Sequence, residues 1–218
     1  MAKNKLGFFV TGTDTDVGKT YIASALVRHF VQQGYETIGM KPVAAGCESV
    51  NGELRHTDVD ALVAASNVQT ALSNVNPYAF VPAIAPHIAA EQFGVNISLE
   101  KIQQAFDGLK SQAEVLVVEG AGGFCVPINQ QQTMADLAVN FNLPVILVVG
   151  IRLGCINHAL MTAASIKAAG LNLVGWVANR IDPSMPALEE NITTLKAMIM
   201  APCIADVAWN EEPSFSQI

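Results

Sequence analysis

The stretch Gly12-Thr13-Asp14-Thr15-Asp16-Val17-Gly18-Lys19-Thr20 decides the fold. It follows a short apolar run, Leu6 to Val10, and opens a helix-like run from Lys19 to Gln32. Strand, glycine-bearing turn, Lys-Thr and helix together predict a phosphate-binding loop. Successive N–H groups of such a turn converge on one concavity, and the helix N-terminus adds a partial positive charge. Lys19 would reach the β- and γ-phosphates and the Thr20 hydroxyl would ligate Mg²⁺. The common pattern G-x-x-x-x-G-K-[ST] places its first glycine where this chain has Thr13. The nearest glycine, Gly12, comes one residue early, so the loop is a variant.

Outward from the loop, apolar and helix-like runs alternate. Leu6–Val10, Thr37–Met40, Val115–Val118, Val145–Val149 and Leu173–Ala178 are short and almost uninterrupted, as strands buried on both faces of a parallel sheet are. Helices are expected at Lys19–Gln32, Asp58–Ala65, Ser98–Lys110, Met134–Asn140, Ile156–Ala169 and Ala187–Met198, with Gly34 and Gly170 at C-terminal caps. A last short strand is expected near Ile204–Val207. Asn74–Gly94, with Pro77, Pro82 and Pro86, reads as an ordered excursion over one face. The 218 residues are expected to form a single α/β domain, a doubly wound, mostly parallel sheet of about six to seven strands with ligands at the strands' carboxyl ends.

Composition narrows the partners. Hydrophobic residues make up 51% and charged ones 14%, which fits a covered sheet rather than disorder. A net charge of −7 argues against nucleic acid or an anionic membrane as the main partner, while backbone amides can still bind a nucleotide locally. Cys47, Cys125, Cys155 and Cys203 are widely spaced and read as reduced thiols of a cytosolic protein. Met1-Ala-Lys-Asn-Lys5 is basic, but the apolar run behind it is too short for a signal peptide, and no segment reaches the ~18 apolar residues of a membrane span.

Unusual residues collect where strands end. Glu119 closes Val115–Val118 before Gly120-Ala121-Gly122-Gly123 and suits a Mg²⁺ ligand facing the phosphates; the alternative is a solvated strand-end acid. Thr57 and Asp60 fit a capping box, and Asp58 would favour a helix start on dipole grounds alone. Lys41 ends the second strand. It could lie along the surface, or sit beside the phosphate loop if the second strand neighbours the first, where its ammonium would stabilise a transferring phosphoryl group. Gly150 to Asn157 enters a helix and offers either an anion site or an ordinary cap by Asn157. Asn179 could read adenine, belong to a guanine reader with Asp182, or sit in a plain turn. His29, His56 and His87 read as structural or surface residues.

Taken in order, Phe9–Thr20, Lys41-Pro-Val-Ala, Val75-Asn-Pro-Tyr78, Pro86-His, Val118–Gly123, Pro144–Gly150, Leu153–His158 and Gly175–Asn179 resemble dethiobiotin synthetase from about Phe8 to Trp209. The resemblance implies that 7,8-diaminononanoate, CO₂ and MgATP react through a carbamate, a phosphorylated carbamate and closure of a ureido ring. It implies an ATP cradle of Asp16, Val17, Gly18, Lys19, Thr20 and Tyr21; a Mg²⁺ set of Thr20, Asp58 and Glu119; and Lys41, with Lys19, as catalytic lysines. Glu119, Gly120, Ala121 and Gly122 would lie along the nucleotide. Asn179 and Arg180 would meet the base, with Ala208, Trp209 and Asn210 closing over it. Substrate would touch Thr13, Lys41 and Ala45, and its tail carboxylate would meet Leu153, Gly154, Cys155 and Asn157 of the other subunit of a homodimer. Ala45 departs from the Ser of many relatives and Arg180 from the Asp of some. The tail Glu211–Ile218 is short for the family. Two other classes share the architecture: a P-loop switch or partitioning ATPase, whose signature lysine would replace Asp14, and a GTP-binding module.

Overall fold

Period-two alternation within each strand sends side chains to two separate apolar layers. In the computed structural model, which describes residues 6–216, β1 (Leu6–Gly12) turns Phe8 and Val10 to one face and Phe9 to the other. The same division holds in β7 (Val115–Glu119), β8 (Val145–Gly150) and β9 (Leu173–Asn179): Val115, Val117, Ile146, Val148 and Val177 face one way, and Leu116, Val118, Leu147, Val149, Trp176 and Ala178 the other. Each strand is therefore a continuous apolar run, because neither face meets water. The basic stretch Met1–Lys5 lies outside the described residues.

The main sheet has six parallel strands in the order β10-β9-β8-β1-β7-β2, where β2 is Thr37–Met40 and β10 is Cys203–Val207. One face carries α1 (Lys19–Gln32) and α2 (Thr57–Ala65). The other carries α5 (Leu99–Gln112), α6 (Met134–Phe141), α7 (Cys155–Ala168) and α8 (Leu188–Met198). Helices and strands thus lie where the apolar patterns place them, within a residue or two at each end. The excursion from 74 to 94 contains the end of α3 (Leu72–Val75), β6 (Tyr78–Phe80) and α4 (Pro86–Gln92); β6 pairs in parallel with β3 (Val43–Ala45). A small hairpin, β4 (Glu48–Val50) and β5 (Glu53–Arg55), turns at Asn51-Gly52. Among the described residues no helix is long and apolar enough to cross a membrane, and all four cysteines are free.

One topological expectation needs correction. β2 does not neighbour β1; β7 lies between them, with Val10 opposite Glu119 and Met40 opposite Val118. Lys41 therefore approaches the loop across the tip of β7 rather than from an adjacent strand.

Candidate active site

The loop after β1 folds tightly over its own start. A Cβ at Gly12 would stand 2.6 Å from Val17 Cγ2 and 3.0 Å from Lys19 Cγ, so the glycine one position early is the one the variant loop requires. At the far end Gly18 takes φ 89°, in the left-handed region, and forms the N-cap of α1. A Cβ at Gly18 would come within 2.1 Å of Asn179 Nδ2, which donates to the Val17 carbonyl at 2.9 Å. The tip of β9 is thus fastened to the loop, four elements of sheet away in sequence but two strands away in space. Lys19 Nζ curls back to the Asp14 carbonyl at 2.8 Å. Burial depresses the Lys19 pKa, against the pull of Glu119.

Behind the loop lies a charge cluster. Glu119 is fully buried, and its Oε1 accepts from Thr20 Oγ1 at 2.8 Å and from Lys41 Nζ at 2.6 Å. Lys41, itself buried, also pairs with Asp58 Oδ2. Burial alone would lower the Lys41 pKa, but Glu119 and Asp58 outweigh it and the net direction is upward. For Asp58, burial pulls upward and the Lys41 ammonium reverses it, so the carboxyl titrates below its ordinary value. A buried ammonium held between two carboxylates is tolerable because its partners replace lost water.

Asp58 is held by α2 in a way the Thr57/Asp60 capping box does not describe. The N-cap is His56, whose Nδ1 accepts from Asp58 N at 3.1 Å, leaving the Nε2 proton for the Ala45 carbonyl at 3.1 Å. Thr57 is the first helical residue, and Asp60 instead accepts from Arg55 Nε at 2.9 Å. His56 is thus structural, as its sequence context suggests, yet it also lines the site. Asn157 is likewise not the cap of α7. Gly154 is, in the left-handed conformation, and Asn157 is exposed in the helix's first turn.

Three clefts open along the carboxyl ends of the strands. The largest, about 850 Å³, brings together Asp16, Gly18, Lys19, Thr20, Lys41, Ala45, Asp58, Glu119, Ala121 and Gly122. A second, about 360 Å³, gathers Tyr21, Asn179, Arg180, Ala208, Trp209 and Asn210 beside the start of α1. The third, about 440 Å³, contains Thr13 with Asp14, Phe124 and, from α7, His158 and Met161. Val17 is buried beneath the loop, and Gly120 N donates to the Val10 carbonyl at 3.0 Å, so these two support the site from below. Leu153, Gly154, Cys155 and Asn157 line none of the three: Leu153 is 90% exposed, while Cys155 is buried. Residues 83–86 wall the largest cleft, which the proline-rich excursion gave no means of seeing; their only signal was the Pro86-His87 pair.

The donor set fits a small hard cation. Glu119 Oε2 is buried without a hydrogen-bond partner, although carboxylate oxygens in such positions normally find one. Beside it stand the Thr20 hydroxyl and the Asp58 carboxylate, all oxygen donors of the kind Mg²⁺ takes. Among the described residues no group of three His, Cys, Asp or Glu side chains is arranged to hold a metal alone. A Mg²⁺ here would draw on the hydroxyl and on phosphate oxygens.

Asp182, the acid of the guanine reading, does not line the second cleft. Asp182 Oδ1 accepts from Ser184 N at 3.1 Å and Ser184 Oγ at 2.7 Å, closing its own turn. Arg180 is likewise engaged, with Asp206 at 2.7 Å and with Glu189, and these carboxylates raise its pKa further.

A family model described as AAA domain matches residues 6–216. Among solved structures, the cell division protein FtsY of Thermotoga maritima superposes with a TM-score of 0.56 at 15% identity, covering 100% of this chain and 67% of that one. The MinC:MinD complex of Aquifex aeolicus gives 0.58 at 14%, covering 95% and 82%. At such identities the likeness is one of fold alone. Sequence relatives say more. The ATP-dependent dethiobiotin synthetase BioD of Nitrosospira multiformis is 50% identical over 94% of this chain and 89% of its own length. That of Xanthomonas oryzae is 49% identical over 94% and 92%, and that of Aromatoleum aromaticum 49% over 92% and 89%. With half its residues shared along nearly the whole of both sequences, this chain belongs to the family of ATP-dependent dethiobiotin synthetases.

Proposed function

We propose that the protein closes the ureido ring of dethiobiotin from 7,8-diaminononanoate, CO₂ and ATP, releasing ADP and phosphate. The observation that carries this reading is the buried Lys41 ammonium between Asp58 and Glu119, directly behind the phosphate loop. Such chemistry needs no enzyme nucleophile. An amine of the substrate captures CO₂, losing a proton, and the carbamate oxygen then takes the γ-phosphoryl group as the bond to ADP breaks. The second amine attacks the carbamate carbon, expels phosphate and gives up its proton. The protein's tasks are placement and charge neutralisation.

Lys19 and the loop amides would hold the phosphates. Asn179, with its NH₂ committed to Val17, keeps its carbonyl oxygen for the exocyclic amine of adenine, with Arg180 and residues 208–210 around the base. Thr20, Asp58 and Glu119 would hold Mg²⁺, which screens the phosphate charge. Lys41, on its four-carbon stem, can turn from the carboxylates to the transferring phosphoryl group. Asp14, which pairs with Arg152, stands where a partitioning ATPase would carry its signature lysine, and this disfavours that class. Phosphate release separates the classes: turnover with ATP should require the diamine together with bicarbonate. Turnover that ignores the diamine and responds to a protein or nucleic-acid partner would mark a switch instead.

We read residues 1–218 as one synthetase domain in a cytoplasmic homodimer, with no nucleic-acid or membrane partner. The turn Leu153–Asn157 of one subunit would meet the substrate tail held by the other. The exposure of Leu153 and Met161, at 90% and 61%, supports a covered face beside the third cleft. In subunit mixing, Lys19→Gln protein and Asn157→Ala protein should recover activity in hybrid dimers toward about half the wild-type level, scaled by hybrid yield. Verified hybrids without recovery would place each site within one subunit.

A further inference from the structure

The segment 208–216 leaves the sheet at its open edge and returns along the helix of the phosphate loop. β10 is the terminal strand of the sheet. Beyond it Glu211 N donates to the Ala208 carbonyl at 3.1 Å and Asn210 takes φ 61°, which turns Trp209 out at the mouth of the second cleft. Trp209 is 54% exposed there. The chain then runs back over α1. The Tyr21 hydroxyl, one residue beyond Thr20, donates to the Glu211 carbonyl at 2.6 Å. Further on, the Phe215 ring meets His29 edge-on, with centroids 5.6 Å apart, and packs on the apolar layer formed by α1 and the sheet. Ser216 N finally donates to the Ile204 carbonyl at 2.9 Å, covering part of the open edge of β10. Arg28 and Glu212 form an ion pair at 3.0 Å, but both are exposed and add little. The strap is thus anchored mainly by one ring and by hydrogen bonds that reach α1 and β10.

An exposed tryptophan at a cleft whose other wall presents Asn179 is placed to cover the face of a purine, since aromatic faces stack on bases irrespective of their hydrogen-bonding edge. Residues 208–210 stand around the base in the reading above; we propose that the segment that follows, 211–216, positions them: the Tyr21 hydroxyl and the Phe215 ring fix Trp209 at the cleft mouth and couple base seating to the helix that begins at the phosphate loop. The proposal rests on the nucleotide part of the reading above and on none of the diamine chemistry. Trp209 is the contact to the base that the reading above already assigns; Phe215 acts through it, and Tyr21, which lines the same cleft, does so through its hydroxyl on the Glu211 carbonyl.

The test compares ATP with tripolyphosphate, which carries the phosphates without a base, by calorimetric titration in the presence of Mg²⁺. Trp209→Ala should weaken ATP by roughly tenfold, the scale of losing one stacking face. Phe215→Ala and Tyr21→Phe should weaken ATP at least about threefold, a fraction of that loss, because Trp209 remains but is no longer held. All three should leave tripolyphosphate binding unchanged, and Phe215→Tyr, which keeps the ring against His29, should restore ATP affinity. Tyr21→Phe removes a single hydroxyl and keeps the test decisive if Phe215→Ala does not fold. Equal losses for both ligands would mean that the strap merely stabilises α1, and unchanged ATP affinity in the two anchor variants would mean that it positions nothing; either overturns the proposal. A wild-type chain that binds neither ligand would instead remove the nucleotide reading itself, and the strap proposal with it.

Discussion

Lys41→Gln should lower kcat by roughly 10²-fold or more, the scale of losing one strong electrostatic contact to a transition state. ATP affinity should suffer far less, because Lys19 and the loop remain in place. The same substitution has an equilibrium signature. In the wild type burial pushes the Asp58 pKa up and the Lys41 ammonium brings it below the ordinary 3.8. The pair therefore contributes stability that is present above 3.8 and is lost as pH falls through the lower folded value. Lys41, whose pKa is raised, contributes below its ordinary 10.5 and loses that contribution as pH rises through the folded value. Without the ammonium the largest downward influences on Asp58 are gone and only those of His56 and the Thr20 hydroxyl remain against burial, so its carboxyl should titrate higher in Lys41→Gln, as read by carbon NMR. A variant with an unchanged kcat and a weaker ATP affinity would place Lys41 in uniform binding of ground and transition state.

Glu119→Gln should raise the Mg²⁺ concentration needed for half-maximal turnover and lower the maximum by roughly 10-fold or more, as loss of one charged ligand to a hard cation does. The physical reason is local. Glu119 Oε2 is buried and unpartnered, and Oε1 already serves Thr20 and Lys41. The amide keeps the shape but brings two donors where acceptors are wanted, so Lys41 loses an anionic partner as well. Asp58→Asn should shift the Mg²⁺ dependence in the same direction from the other side of the cleft. Thermal unfolding followed alongside separates a lost ligand from a lost fold. Wild-type Mg²⁺ dependence in both variants would contradict the assignment.

Where the sequence was legible, it was so for definite reasons. The strands of the main sheet are buried on both faces, so their apolar runs are unbroken and their ends are marked by Gly12, Glu119, Gly150 and Asn179. Helix α1 begins at Lys19, as the loop pattern requires. The small β4–β5 hairpin escaped because its strands are three residues long and exposed, although Asn51-Gly52 is a strong turn signal with φ of 53° and 86°. The order of strands escaped for another reason. Adjacency in sequence favours adjacency in the sheet, but here β7 inserts between β1 and β2 and supplies the carboxylate that joins Lys41 to Thr20. The cap of α2 lies one residue before Thr57, because the His56 ring nitrogen takes the role that the capping-box pattern gives to the Thr57 hydroxyl. Long-range fastenings such as Asn179 to Val17, and the strap from Tyr21 to Glu211, have no local pattern at all.

The most direct test follows one oxygen atom. If a carbamate oxygen takes the γ-phosphoryl group, ring closure expels phosphate carrying that oxygen. Bicarbonate labelled with ¹⁸O, mixed rapidly with enzyme, ATP, Mg²⁺ and 7,8-diaminononanoate in unlabelled water, should yield dethiobiotin and phosphate containing one labelled oxygen from the bicarbonate in a single turnover. Unlabelled phosphate released in step with ADP would mean that water, not a carbamate, receives the phosphoryl group, and would contradict the account.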